Sequence, residues 1–336
     1  MPRAVVQSAY GDPAAVLRIV DLPAEQPGPD EVVVRMEAAA MHIADLKTIT
    51  GAPYFRLPLP RTPGFEGIGH VLRKGANVTQ FAIGDRVFPA LGGGTFREEV
   101  RCAAAACVPA PAGDAAQLSL ATVNGATAEV LLEDYADLQP GDWLIQNAAN
   151  SNCGRYLIRL AGLKGVRTVN VVRRPEMVGE LRALGGDVVL LDGPGLAERV
   201  LAATGGVRPK VGIDCVSGPA TQRVAECLAP DSWLVSLGSM SNQPCELDFY
   251  FMFASGVRLQ ALSFARQFRN RTPQQVRELY LKLARLISEG VLEAKIAGRY
   301  RLDDVLAACD RAGRTGAERD GKVVIDFSPD GSSGRP

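Results

Sequence analysis

Residues 146–154, QNAANSNCG, place small polar side chains ahead of a glycine and between two apolar runs. Trp143 to Asn147 reads as a short strand and Arg155 to Lys164 as a helix, so the segment is a strand-to-helix loop. Such a loop can seat an anion, because the first N–H groups of a helix lack backbone partners and the helix dipole favours negative charge there. A dinucleotide pyrophosphate is one ligand of that kind. Of the glycines usual in such a loop only Gly154 remains. Asn152 stands where glycine would let the backbone approach phosphate, and asparagine is the residue with a side chain that best tolerates positive φ. Asn150, Ser151, Asn152, Cys153 and Gly154 are therefore the candidate phosphate-loop residues. The plain alternative is an ordinary connection between strand and helix, in which Cys153 is a small spacer and not an activated thiol.

The next strand, Thr168 to Val172, runs into Arg173 and Arg174, which lie 19 and 20 residues beyond Gly154. A chain that binds NAD usually carries Asp or Glu there, to accept the ribose 2′-hydroxyl. Two guanidinium groups suit a 2′-phosphate instead. A charge-assisted hydrogen bond contributes roughly 1.5–3 kcal/mol, so one or two give NADPH a preference of about ten- to several-thousand-fold over NADH. A solvated basic turn is the alternative reading of the pair.

The elements that position these residues fall into two textures. Residues 1 to about 120 read as short strands, among them Ala4 to Gln7, Glu31 to Ala38, Gly67 to Arg73 and Glu98 to Cys102. Turn chemistry at PGPD (27–30), KGANV (74–78) and GD (84–85) separates them, with one short helix near Ala44 to Thr48. From Ala121 to Tyr135 the spacing becomes helical. Strands and helices then alternate: helix Pro175 to Leu184, strand Asp187 to Leu191, helix Leu196 to Ala203, strand Val211 to Val216, helix Ala220 to Leu228 and strand Ser232 to Leu237. Alternation of this kind implies a parallel sheet with helices on both faces. The tail reverts, with an amphipathic helix from Thr272 to Gly290, a helix Asp304 to Gly313 capped by Asp303, and a last strand Lys322 to Phe327. The expected organisation is a doubly wound domain, 124–262, inserted between residues 1–123 and 263–336 of a β-rich domain.

The 336 residues carry 37 basic and 37 acidic side chains, a balance that disfavours recognition of nucleic acid or an anionic membrane by bulk charge. No apolar run approaches the roughly 20 residues of a membrane helix. The opening MPRAVVQSAYG is neither a secretory signal nor a transit peptide, so the cytoplasm is the expected location. Seven cysteines without a CxxC pair and only two histidines, His42 and His70, leave a poor ligand set for zinc, and reduced thiols are expected.

Taken together, the chain resembles the medium-chain dehydrogenase/reductase superfamily, and within it the zinc-free 2-enoyl thioester reductases. Four stretches carry the likeness. QNAANSNCGRYLIRLAGLKGVRTVNVVRRPE (146–176) resembles that family's pyrophosphate loop, helix and arginine-bearing strand, and GTFR (94–97) its GTWR element. VNGATAEVLL (123–132) is similar to the helix ahead of its nucleotide domain, and SLGSMSNQP (236–244) to the segment beside its cofactor. Departures are Asn152 for glycine, Cys153 for valine, Glu129 where an aromatic is common, and Phe96 for tryptophan. The zinc enzymes of the superfamily carry a cysteine near position 40 and a GHE motif, where this chain has MHIAD (41–45) and GFE (64–66).

The resemblance implies an α/β protein with a GroES-like β-rich catalytic domain and a Rossmann domain that binds NADPH. It implies a metal-free hydride transfer to an enoyl thioester, carried by coenzyme A or acyl carrier protein. Tyr54 in GAPYFRLPLP matches the tyrosine that donates to the developing enolate oxygen in such enzymes. Asn124 and Thr127 match positions near the nicotinamide ribose, and Ser239 and Met240 the segment flanking the nicotinamide half. Arg266, Arg269 and Arg271 form a basic cluster suited to carrier phosphates, with a solvated turn as the alternative. A homodimer is expected by resemblance. A quinone or alkenal reductase on the same fold is the near rival, and an NADPH-binding protein with little turnover the rival of another class.

Overall fold

Short apolar runs punctuated by glycine and proline make strands of the first third of the chain. The computed structural model describes residues 1–53, 55–263, 267–268, 270–318 and 321–328. Tyr54, Phe264, Arg266 and Arg269 lie outside the described residues. In chain order come β1 (Arg3–Gln7), α1 (Pro13–Val16), β2 (Leu17–Asp21), β3 (Glu31–Met41), α2 (Ile43–Thr50), β4 (Ile68–Lys74), β5 (Arg86–Phe88), β6 (Glu99–Ala103), β7 (Val108–Pro109) and α3 (Ala115–Leu118). A π-helical turn, Ala121–Gly125, leads into α4 (Ala126–Glu133), β8 (Trp143–Asn147), α5 (Asn152–Leu163), β9 (Arg167–Val172), α6 (Met177–Ala183), β10 (Val188–Leu191) and α7 (Leu196–Thr204). Next are β11 (Val211–Asp214), α8 (Pro219–Glu226), β12 (Trp233–Ser236), α9 (Phe249–Ser255) and β13 (Arg258–Ala261). The chain closes with α10 (Pro273–Ser288), β14 (Ile296–Tyr300), α11 (Val305–Gly313) and β15 (Lys322–Asp326). Two units result, one of Met1–Val123 with Pro273–Pro336 and one of Asn124–Thr272.

In the first unit the strand order is β14-β15-β3-β4-β5-β7, with β6 also on β3 and an antiparallel β1–β2 pair beside them. The last strand pairs antiparallel with β3, Val323 against Met41 and Asp326 against Ala38. One core explains why the tail returns: Val5, Met41, Leu46, Ile49 and Phe96 from the N-terminal part pack with Val305, Ala308 and Ile325 from the end of the chain. Along α10 the buried stripe is Leu279, Tyr280, Leu283, Ala284 and Ile287, as its periodicity implies. The expected helix Asp304 to Gly313 is split into a 3-10 turn, Leu302–Asp304, and α11. Asp303 does not cap it, because its carboxylate is taken by the Arg3 guanidinium at 2.7 Å.

The second unit is a six-stranded parallel sheet in the order β10-β9-β8-β11-β12-β13. On one face Trp143, Ile145, Val169 and Val171 pack with Leu196 and Val200 of α7 and Val224 of α8. On the other, Val172 and Val189 pack with Ile158 of α5 and Met177 and Leu181 of α6. Strand order reverses direction between β8 and β11, and ligands of such sheets bind outside the carboxyl ends of the strands at that reversal. The doubly wound reading of the sequence is therefore observed. Among the described residues no helix is long and apolar enough to cross a membrane.

The tightest backbone approach in the first sheet falls at Gly69, where a Cβ would lie 2.1 Å from the Arg35 carbonyl oxygen and 2.9 Å from the Met36 Cα. The β3–β4 register shifts between Val33 and Val34 and again between Met36 and Ala38, which leaves no slack at this point. Gly69→Ala is expected to lower stability by about 3 kcal/mol, through overpacking against backbone. Urea unfolding checks this, with unchanged stability as the contrary result.

Candidate functional site

The two strands that flank the reversal, β8 and β11, end in buried polar residues, and these shape the loops above them. Gln146, near the end of β8, donates to Asn170 Oδ1 on β9 at 2.8 Å and to the Gly154 carbonyl at 3.0 Å. Asn147 donates to Asp214 Oδ1 at 2.6 Å and accepts from the Cys215 N–H at 2.7 Å. Asp214 also accepts from the Val216 and Ser217 N–H groups and from the Thr221 hydroxyl. Sequence reading missed Asn147 and Asp214, whose only signal is a polar side chain closing an apolar strand.

The loop expected to seat phosphate follows. Ser151 caps α5, accepting from the Gly154 N–H at 3.2 Å, and Cys153 is the half-buried second residue of the helix. Gly154 is required by contact, since a Cβ there would lie 2.6 Å from the Ala149 carbonyl oxygen. The helix begins earlier than the periodicity indicates, at Asn152. This corrects the conformation expected of Asn152: it is the first helical residue, and the left-handed conformation falls instead on Ala148, at φ 47°. The turn is made before the cap, so the residues after Ser151 are free to adopt helical angles. The Asn150 carbonyl accepts from Arg155 Nε at 3.1 Å, which ties the loop to its own helix.

Beyond β9 the two arginines differ. Arg173 is exposed and has no hydrogen bond or ion pair among the described residues, whereas Arg174 lies 3.7 Å from Glu176 and donates to the Met177 sulfur. Of the two, Arg173 is therefore the uncommitted guanidinium, at the position expected from the sequence to meet an adenosine 2′-phosphate. Asn124 lies in the π-helical turn and accepts from Asn152 Nδ2 at 3.0 Å, and Thr127 of α4 donates to Gln267 Oε1 at 3.1 Å. Ser239 donates to the Gln243 carbonyl, and Met240, 42% exposed, is held by its N–H to the Cys215 carbonyl. Arg271 is not a free phosphate ligand, because Asp134 and Glu133 hold it at 2.7 and 3.0 Å. Glu129, where the resemblance led one to expect an aromatic, is buried and paired with Lys164 at 3.0 Å.

The first unit contains a buried polar centre that sequence reading did not assemble. Entry into α2 brings the His42 ring within 2.7 Å of Glu66 Oε1. The Lys322 ammonium of β15 lies 3.0 Å from His42 Nδ1. An ammonium can only donate, so Nδ1 accepts and Nε2–H donates to Glu66. The second oxygen of Glu66 accepts from the Thr122 hydroxyl and the Val123 N–H, both at 2.7 Å. Asp45 accepts from the His42 N–H at 2.7 Å. Tyr280 is buried nearby, and burial together with the Glu66 charge pushes its phenol up. Among the described residues no three His, Cys, Asp or Glu side chains are grouped as a metal site.

Two family models match the chain: an alcohol dehydrogenase GroES-like domain over residues 28–112 and a zinc-binding dehydrogenase domain over residues 153–282. The chain is 33% identical over 321 residues to the mitochondrial enoyl-[acyl-carrier-protein] reductase of Rattus norvegicus, covering 92% of this chain and 84% of the relative. Among solved structures it is similar to a Bacillus thuringiensis protein assigned as an NADPH:quinone reductase, with TM-score 0.89, 30% identity and coverage of 97% and 99% of the two chains. A mycobacterial protein solved in complex with NADPH superposes with TM-score 0.83 at 26% identity, covering 97% of this chain and all of that one.

The buried centre has a pH signature. Burial pushes the Asp45 carboxyl up to about 7, against the opposing pull of the His42 N–H, Lys322 and Arg61. The unfolded carboxyl titrates near 3.9. Between those values the folded chain keeps a proton that the unfolded chain has lost. The stability this group contributes is thus full below about pH 4 and declines as pH rises to about 7. Asp45→Asn is expected to abolish that decline, gaining on the order of 4 kcal/mol over the wild type between pH 4 and 7.5. Urea unfolding of both proteins across this range measures it, and parallel curves would contradict it.

Proposed function

The chain belongs to the medium-chain dehydrogenase/reductase superfamily, in its enoyl thioester reductase branch, and from that premise we propose that it reduces the activated carbon–carbon double bond of a trans-2-enoyl thioester with NADPH. The observation that carries the cofactor is the uncommitted Arg173 guanidinium beyond β9, on the strand next to the capped phosphate loop. No carboxylate follows β9 until Glu176, which lies against Arg174. The thioester reading is supported by the identity to the enoyl-[acyl-carrier-protein] reductases. Coenzyme A or acyl carrier protein is the proposed carrier.

NADPH, when bound, supplies a hydride to the β carbon. The protein has then to answer negative charge growing on the thioester oxygen, and a fixed hydroxyl donor aimed at it lowers the barrier. Tyr54 is the proposed donor, and its phenol is also the proposed source of the proton for the α carbon. Ser151, Gly154 and Asn150 position the pyrophosphate, while Asn124 and Thr127 hold the nicotinamide ribose. Zinc independence is part of the proposal. Its support is that Met41 and Phe65 bring no zinc ligand, and that His42 commits Nε2–H to Glu66 and Nδ1 to Lys322. Neither ring nitrogen keeps a lone pair for a metal. A quinone or alkenal reductase is the second reading, favoured by the likeness to the Bacillus thuringiensis protein.

NADPH oxidation with crotonyl-CoA, a longer enoyl-CoA and 1,4-benzoquinone, with NADH as control, tests these readings. Enoyl-CoA turnover with NADPH, falling at least about tenfold in Tyr54→Phe while NADPH binding persists, is the expected result. Quinone turnover alone moves the function to the second reading.

A homodimer is proposed on the open edge of the parallel sheet. Among the described residues strand β13 is paired only with β12, and the short helix before it leaves Phe249, Tyr250 and Phe253 exposed by 65–82%. An open edge beside a cluster of aromatic rings suits a second copy related by a twofold axis. Sedimentation is expected to give a dimer, and Phe253→Glu a monomer. A monomeric wild-type chain would refute this.

A further inference from the structure

Asn124 in the π-helical turn and Thr127 in the first turn of α4 each hold a primary amide, and each amide is satisfied at one end only. Thr127 Oγ1 donates to Gln267 Oε1 at 3.1 Å, while Gln267 Nε2 is buried and has no partner among the described residues. Asn152 Nδ2 donates to Asn124 Oδ1 at 3.0 Å, while Asn152 Oδ1 is buried and unpaired. Gln267 as a residue is 3% exposed, so water does not meet its free end in any ordinary way. A buried donor left without a partner costs roughly 1–3 kcal/mol, and natural folds rarely keep one that nothing answers. Methionine, with nearly the same volume and no donor, would avoid that cost. An amide with one end anchored to Thr127 and the other empty is a group waiting for an acceptor.

We propose that Gln267 is a cofactor-binding residue, its Nε2–H donating to an uncharged oxygen, a ribose hydroxyl or the carboxamide carbonyl, of the nicotinamide half of NADPH. This rests on the NADPH reading above, through Thr127. Uncharged oxygen is favoured over phosphate because, among the described residues, the site offers an amide and a hydroxyl and no guanidinium or ammonium bonded to either. The unpaired Asn152 Oδ1 adds an acceptor on the same pair of helical residues, and a ribose diol supplies both donors and acceptors. Thr127 is then the positioning residue that fixes which end of the Gln267 amide is free.

The signature is a loss of binding without a loss of stability. Gln267→Met removes an unpaired buried donor from the ligand-free protein together with the acceptor of the Thr127 hydroxyl, two changes of opposite sign, so its melting temperature is expected to stay close to wild type. Its Kd for NADPH, measured by fluorescence titration, is expected to rise about tenfold. Affinity for 2′,5′-ADP, which lacks the nicotinamide half, is expected to stay within twofold. Gln267→Glu keeps the shape, replaces the donor by an acceptor, and is expected to lose NADPH affinity at least as far. An NADPH Kd within twofold of wild type in both variants overturns the inference, as does a lower melting temperature with equal loss of both ligands. A raised KM for the enoyl thioester with unchanged NADPH Kd assigns the acceptor to the substrate and overturns the cofactor contact. Failure of the wild-type chain itself to bind NADPH removes the reading on which the inference stands.

Discussion

A carboxylate taken out of water must be surrounded by donors, and that requirement organises both units. In the first, Glu66 gathers the His42 ring, the Thr122 hydroxyl and the Val123 N–H. In the second, Asp214 gathers Asn147, two backbone N–H groups and Thr221. Removing either carboxylate would strand several buried donors at once, each at a cost of roughly 1–3 kcal/mol. Neither charge is exposed, so their influence is on geometry: one fixes the chain just before Asn124, the other fixes the loop after β11.

Those anchors make unusual backbone affordable at the crevice. Ala148 and Ser217 both carry positive φ, at 47° and 65°, the first immediately beyond β8 and the second three residues beyond β11. Non-glycine residues in that region cost of order 1–3 kcal/mol each, and they persist where the surroundings leave no alternative. Here the Asn147 and Asp214 hydrogen bonds supply the constraint, holding Cys215, Val216 and Ser217 by their N–H groups. The half-satisfied amides of Asn152 and Gln267 follow the same logic, since both are tolerated beside well-packed helices. Stability is spent at the strand ends and recovered in the apolar layers on either side of the sheet.

The same economy explains the discontinuous first unit. Its sheet needs β15 on the free side of β3, and its core needs α11 against α2 and the β1–β2 pair. Neither comes from the first 123 residues, so the chain must return after its excursion into the parallel sheet. That return also delivers Lys322 to His42, across 280 residues of sequence, and thereby sets the ring tautomer that faces Glu66.

Much of this was legible in the sequence, and the boundary of legibility is physical. Strand Trp143–Asn147, the β9 strand, the alternation that follows and the stripe of α10 are local patterns of apolar spacing, which depend only on neighbouring residues. The strand-to-helix loop 146–154, capped by Ser151, was legible for the same reason, because its spacing along the chain is itself the signal. What the sequence misplaced were caps and angles: Asp303 reads as a cap but meets Arg3, and Asn152 reads as the left-handed residue but begins a helix. What it could not reveal were partners. Asn147 finds Asp214 across 67 residues, Glu66 finds His42 across 24, and Thr127 finds Gln267 across 140. Periodicity records which face of an element is apolar, whereas the pairing of buried polar groups is decided only when folding brings distant strand and helix ends together and removes the water that would otherwise have served each of them.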